Sequence, residues 1–261
     1  MNTVNFQKCY ELLKTLQCKD AAEVWKSYAE RTEGFGNMGI EDVLEVMLTA
    51  EKNGRDRRHQ ETLLRMAKIP LRATLSQVTV GEGRDPTFQK TLLTLSSLDF
   101  IREGRNVTIF GGTGTGKSYI ASALLRESCL HGMGGRFYTA SDLVALLQQL
   151  KGTNSYQTRR LSLSRLWVLV LDDFCLTEYT SHELEVLYDV LNDRYGKKTV
   201  IVTSQKSPDI WLENMGKTTL AESIVERLST NNYMLLLKGK SLRRPIDLQE
   251  ESTTPLLDAS M

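Results

Sequence analysis

Residues that hold metals and disulfides are scarce in this chain. Its three histidines, His59, His131 and His182, lie far apart, and its four cysteines, Cys9, Cys18, Cys129 and Cys175, form no C-x-x-C pair. These spacings speak against a zinc site or a disulfide framework and fit a reducing, cytoplasmic setting. His182-Glu183 lacks the second histidine of a zincin helix. No apolar run approaches the ~18 residues that cross a bilayer, and the N-terminus has no charged-then-apolar leader. An excess of one charge is also missing: 33 Lys and Arg face 32 Asp and Glu, so any nucleic-acid contact must come from local clusters. No internal repeat or low-complexity tract is present. What remains is a chain of 261 residues, 41% hydrophobic, which is enough for one large domain with a smaller companion.

Glycine is concentrated where it matters most. Gly111-Gly112-Thr113-Gly114-Thr115-Gly116-Lys117-Ser118 fits the phosphate-binding pattern G-x-x-x-x-G-K-[ST]. The apolar run Val107–Phe110 precedes it and reads as a buried strand. Tyr119–Leu125 follows with helical spacing. In that context the glycines let backbone N–H groups turn inward toward phosphate oxygens, and the helix N-terminus adds a favourable dipole. Lys117 is placed to reach the β- and γ-phosphates, and the Ser118 hydroxyl to ligate Mg²⁺.

Upstream, residues 5–33 read as one or two amphipathic helices, with Asp20 and Glu23 as a capping signal between them. Their apolar stripes suit packing, or docking of a partner. A second helix is expected from Ile40 to about Ile69, bounded by Pro70, with Gly54 as an interruption. Between Lys52 and Arg72 stand seven bases and two acids. That tract is either a solvated helix face or a surface for DNA or an acidic partner. Residues 71–86 read as a linker, and 87–102 as helical.

Downstream of Lys117, strands and helices alternate. Arg136–Thr139 is a short strand. Ser141 can cap a helix carrying Leu143, Leu146, Leu147 and Leu150. Leu166–Leu171 is apolar throughout, as a strand at the centre of a parallel sheet must be. Thr180 and Glu183 form a capping box for a helix closed by Gly196. Thr199–Thr203 is a further strand, helices follow near 208–215 and 218–229, and Tyr233–Leu237 is the last strand. The pattern predicts a parallel α/β sheet flanked by helices, with nucleotide at the strand C-termini. Asp172 and Asp173 end the central strand. Asp172 is expected beside the metal, and Asp173 is the candidate for polarising the attacking water. Between Asp142 and Asp172 there is no acid but four bases, Lys151, Arg159, Arg160 and Arg165, with Tyr156 among them. A loop of that composition would track DNA phosphates without reading sequence.

Taken together, these motifs resemble the IstB-like and DnaC-like branch of the AAA+ ATPases. The resemblance runs through the phosphate loop, Asp172-Asp173-Phe174, Thr203-Ser204, Glu226-Arg227-Leu228 and Lys238–Arg243, and covers about residues 85–245. A looser upstream match, through Glu51, Arg55, Arg57-Arg58 and Pro70, looks more like the transposition helpers than the helicase loaders. The resemblance implies ATP and Mg²⁺ as cofactors, with Tyr119 and Arg243 in the nucleotide site. It implies that Arg227 acts as an arginine finger toward a neighbouring subunit, and hence a ring or helical homo-oligomer. Duplex DNA and a transposase are the implied partners; a DnaC-like helicase loader is the alternative. Two departures stand out: many relatives carry Asp-Glu where this chain has Asp172-Asp173, and Asn at the position of Gln205. The expected organisation is an N-terminal helical domain at 1–72, a linker at 73–86, a P-loop AAA+-like domain at 87–248 and a tail at 249–261.

Overall fold

The computed structural model describes residues 3–29, 39–78, 86–239 and 241–242. The stretches 1–2, 30–38, 79–85, 240 and 243–261 lie outside the described residues, and with them the expected tail and Arg243. Five strands form one sheet: β1 (Asn106–Gly111), β2 (Gly135–Thr139), β3 (Val168–Asp172), β4 (Thr199–Ser204) and β5 (Asn232–Leu237). Their order is β2-β3-β4-β1-β5, and every pairing is parallel. The order turns at β1, which lies between β4 and β5. This is the edge-free position from which a following loop opens onto the C-terminal rim of the sheet.

Strand β3 shows why its sequence is apolar throughout. Val168 and Val170 face one core, with Val107, Ile109, Ile120, Leu124 and Ile201. Leu169 and Leu171 face the other, with Leu143, Leu147, Leu187 and Leu191. Each buried aliphatic contributes about 1.5–3 kcal/mol, so a strand covered on both sides has no position to spare for a polar residue. The first core is closed by α4 (Pro86–Ser96), α5 (Asp99–Arg102) and α6 (Lys117–Leu130). The second is closed by α7 (Ala140–Leu150), α8 (Asn154–Arg165), α9 (Ser181–Arg194), α10 (Pro208–Asn214) and α11 (Thr219–Ser229).

Helices α1 (Thr3–Thr15), α2 (Lys19–Ala29) and α3 (Ile40–Ala67) form the N-terminal module. Gly54 does not interrupt α3, which runs through it for 28 residues. A Cβ at Gly54 would fall 2.0 Å from the Asp20 carboxylate, so glycine is what lets α2 approach. Asp20 is not the N-cap that its spacing to Glu23 suggested, since it already lies in the first turn of α2. The Glu51 carboxylate of α3 accepts the Asp20 and Ala21 N–H groups instead, at 3.0 and 3.4 Å. Arg55 binds Glu51, while Arg57 and Arg58 reach Asp20. Part of the basic tract is thereby spent within the module. The far end of α3 joins the core on one face of the sheet through Leu63, Leu64 and Ala67.

Two smaller differences have local causes. Thr139, not Ser141, caps α7, its hydroxyl accepting from Asp142 N–H at 3.1 Å. Residues 154–165, expected as a loop, form α8, whose C-terminal carbonyls are gathered by the buried Arg194.

Candidate functional site

The phosphate loop leaves β1 at Gly111 and enters α6 at Lys117. Gly111, Gly114 and Gly116 all have positive φ, at 148°, 78° and 97°. Gly114 carries a second demand. A Cβ there would fall 2.1 Å from Ser241 Oγ, and its carbonyl accepts the Leu242 N–H at 2.8 Å. The segment after β5 therefore lies directly on the loop. Thr115 Oγ1 donates to Gly112 O at 2.8 Å and closes the turn. Lys117 is buried, and its Nζ donates to Gly111 O at 2.9 Å and Gly112 O at 2.7 Å. Its charge is thus held among neutral carbonyls at the mouth of the loop.

Asp172 ends β3 and is buried. Burial pushes its carboxyl above the ordinary carboxylate range. Hydrogen bonds from Thr203 and Ser118 work against this, the Asp173 charge adds to it, and Lys117 opposes it. Thr203 Oγ1 donates to Asp172 Oδ1 and accepts the Asp173 N–H at 3.1 Å. Asp173 sits at φ 54°, a left-handed turn that few non-glycine residues occupy. Beyond it Phe174 is fully buried, edge-on to Trp211 with ring centroids 4.9 Å apart. Phe174 N–H bonds Thr203 O, and Ser204 Oγ donates to Phe174 O. The tip of β4 therefore clamps the turn that aims Asp173.

These groups border a cleft of about 670 Å³. Thr113, Gly114, Gly116, Lys117, Ser118 and Tyr119 line one side; Asp173 and Gln205 also face it. Gln205 Oε1 accepts from Thr113 Oγ1 at 3.1 Å. The remaining wall comes from Leu242, in the Lys238–Arg243 motif, and from three residues that the sequence did not single out: Leu71, Gln77 and Val78. Tyr119 OH accepts the Thr74 N–H at 3.4 Å and bonds Gln77 Oε1 at 2.9 Å, tying the expected linker to α6. The apolar Leu71, Leu75 and Val78 were the available signal, since a solvated linker needs none of them. Thr203 was legible only as part of a motif.

The cleft fits a nucleoside triphosphate in size and chemistry: curled loop N–H groups and a lysine for phosphates, apolar side chains for a base. Among the described residues no group of three or more His, Cys, Asp or Glu could hold a metal ion by itself. One hydroxyl and one carboxylate, Ser118 and Asp172, suit a Mg²⁺ that completes its shell with phosphate oxygens and water.

Arg227 lies elsewhere, on α11, packed on α9. Its guanidinium donates to Asn192 Oδ1 through Nε and Nη2 at 3.3 and 3.0 Å, to Tyr188 OH at 3.1 Å and to Ser223 O at 2.9 Å. It also stands over the Tyr188 ring at 4.6 Å. Arg159, Arg160 and Arg165 lie on α8, and Lys151 just before it. Lys151 pairs with Glu185, and Arg160 with Asp189 and Asp193. Among the described residues Arg159 and Arg165 meet no acid.

Fold and site together define an ATP-binding P-loop protein of the AAA+ class. A family profile described as IstB-like ATP binding protein matches residues 11–250, and the chain belongs to that family. It is 30% identical over 242 residues to an insertion-sequence ATP-binding protein of Sinorhizobium fredii, covering 91% of this chain and 96% of that one. It is 31% identical over 230 residues to the ATP-binding protein of insertion sequence IS21 from Pseudomonas aeruginosa, covering 86% of each. Among solved structures it resembles the DnaC helicase loader, at 25% identity and a TM-score of 0.53 over 66% of this chain and all of that one. It shares its fold with the replication initiator DnaA bound to AMPPCP and single-stranded DNA, at TM-score 0.56 and 18% identity. That match covers 66% of this chain and 52% of DnaA. No described helix is long and apolar enough to cross a membrane.

Proposed function

We propose that this protein is an ATP-dependent transposition helper. With ATP and Mg²⁺ it assembles on duplex DNA, selects or remodels the target, and recruits a partner transposase. Hydrolysis then resets the assembly. The observation that carries this reading is a site that is complete except for one part. Lys117, Ser118 and Asp173 line one cleft and Asp172 is hydrogen-bonded to Ser118 beside it, yet among the described residues no arginine lines it. A positive charge on the developing γ-phosphate charge is the missing electrostatic element. Arg227, half-buried on α11 against α9, is the side chain we assign to a neighbour's cleft. Asp173 polarises the attacking water, Gln205 reads the phosphate end through Thr113, and Arg243 reads nucleotide within the same subunit. Mg²⁺, held by Ser118 and Asp172, would neutralise phosphate charge.

The domain assignment belongs to the same proposal: residues 1–72 choose the partner, 73–86 connect, and 87–248 bind and hydrolyse ATP. Relatives named for insertion sequences favour a transposase as that partner. The likeness to the DnaC helicase loader supports the second reading, an ATP-switched loader of a replicative helicase. Light scattering and DNA retention with ATP and Mg²⁺ test the first. Lys117→Ala should lose nucleotide binding, and Arg227→Ala should keep ATP but neither assemble nor hydrolyse. Full turnover by Arg227→Ala would defeat the finger assignment. Recovery of a hexameric helicase, and no transposase, in a pull-down would reverse the ranking.

A further inference from the structure

Helix α9 presents three carboxylates at one-turn intervals, Glu185, Asp189 and Asp193, and all three face bases from the α7–α8 region. Lys151 meets Glu185. Arg160 spans the other two, with Nη1 3.1 Å from Asp189 Oδ2, and Nε and Nη2 at 3.0 and 2.9 Å from the Asp193 oxygens. The last is a bidentate fork, the geometry with which arginine also grips a phosphate. Half of the basic side chains in this region are thus neutralised internally, while Arg159 and the exposed Arg165 are not.

We propose that the Glu185–Asp189–Asp193 stripe is an internal stand-in for DNA phosphate. It holds Lys151 and Arg160 until a duplex backbone displaces it, so that α8 shows its full charge only on DNA. This rests on the reading of α8 as a DNA-facing element. The partners are unequal in a way that makes the exchange feasible. Asp189 is anchored by the buried Tyr156, whose OH donates to it at 2.6 Å, so it keeps a partner when Arg160 leaves. Asp193 retains 29% of its exposure, and water can solvate it once freed. Beside Arg160 a cleft of about 330 Å³ opens, lined by Gln157, Ser164, Asn192 and Lys197. It offers a phosphodiester a second cation and several neutral donors. A contact that gives way to phosphate makes the bound state denser in charge contacts than the free surface suggests, and suppresses adhesion to weaker polyanions.

The test uses the full chain with ATP and Mg²⁺ and a labelled duplex, with anisotropy read from about 50 to 300 mM salt. Asp193→Asn combined with Glu185→Gln removes charge at two partly exposed positions and leaves the Tyr156 anchor intact. The expected result is binding tighter by about three- to tenfold near 0.1 M salt, and a log–log salt slope steeper by about 0.9 for each base released. Unchanged or weaker binding by a folded double variant would overturn the proposal, because the acids would then only position α8. Should the double variant fold poorly, Asp193→Asn alone carries the same expectation for Arg160. Arg159→Ala with Arg165→Ala separates the two levels. If that variant keeps wild-type DNA binding, the α8 reading itself fails. If it weakens binding while the acid variants change nothing, only the stand-in fails.

Discussion

Thr203 holds two neighbouring acids with one hydroxyl, and its removal can be followed quantitatively. In Thr203→Val the shape is nearly kept, but the O–H donor to Asp172 and the acceptor for Asp173 N–H both vanish. A hydrogen bond to a carboxylate is worth about 1.5–3 kcal/mol, and a stranded N–H costs about 1–3 kcal/mol. The added buried methyl returns about 0.8 kcal/mol. Thr203 has no exposure at all, so water cannot substitute from that side. The net loss should be about 3 kcal/mol in denaturant unfolding. A second consequence separates chemistry from stability. Mg²⁺-dependent nucleotide binding should fall by at least about tenfold, one hydrogen bond's worth, while binding in EDTA changes little. Thr203→Ser keeps the hydroxyl and should restore both. A Thr203→Val protein within about 0.5 kcal/mol of wild type, or one that Thr203→Ser fails to rescue, would refute the reasoning.

Three further outcomes follow from the geometry. Gly114→Ala forces an L-residue to φ 78° and pushes Ser241 off the loop, so nucleotide affinity should drop by about tenfold or more in a direct binding titration. Gly54→Leu should separate α2 from α3, read as lost hydrogen-exchange protection across Lys19–Ala29 with the sheet domain unaffected. The hydrogen bond from Arg58 holds the Asp20 carboxyl below its ordinary range. Its contribution to α2–α3 docking is therefore complete above the unfolded carboxylate pKa, and is lost as pH falls through the lower folded value. Asp20→Asn should remove that acid-dependent loosening of α2, measured by the same exchange.

Local signals were the ones that sequence reading handled well. The loop Gly111–Ser118, the apolar run into Asp172 and the Thr180–Glu183 capping box each depend on neighbours a few residues away, and each stands where its pattern put it. Failures came where distant residues decide. Gly54 looks like a breaker until Asp20 is seen against it. Helix α8 buries only Tyr156 and Leu163, too little to announce a helix, and is set by Asp189, Asp193 and Arg194 some thirty residues on. Residues 71–78 carried turn and linker chemistry in their flanks, which hid the apolar side chains that meet the nucleotide cleft. The capping of α2 by Glu51 has no sequence signature, because a carboxylate 31 residues away does the work of a local side chain.

The uninterrupted course of α3 has a mechanical consequence. Twenty-eight residues at 1.5 Å each make a rod of roughly 42 Å. One end is embedded against α6 and continues into the wall of the ATP cleft, and the other carries α1 and α2. A tilt of about 6° at the embedded end would sweep the far tip through roughly 4 Å over that length. On that lever arm, a small change around Tyr119 and Gln77 would be amplified at the far tip of α3.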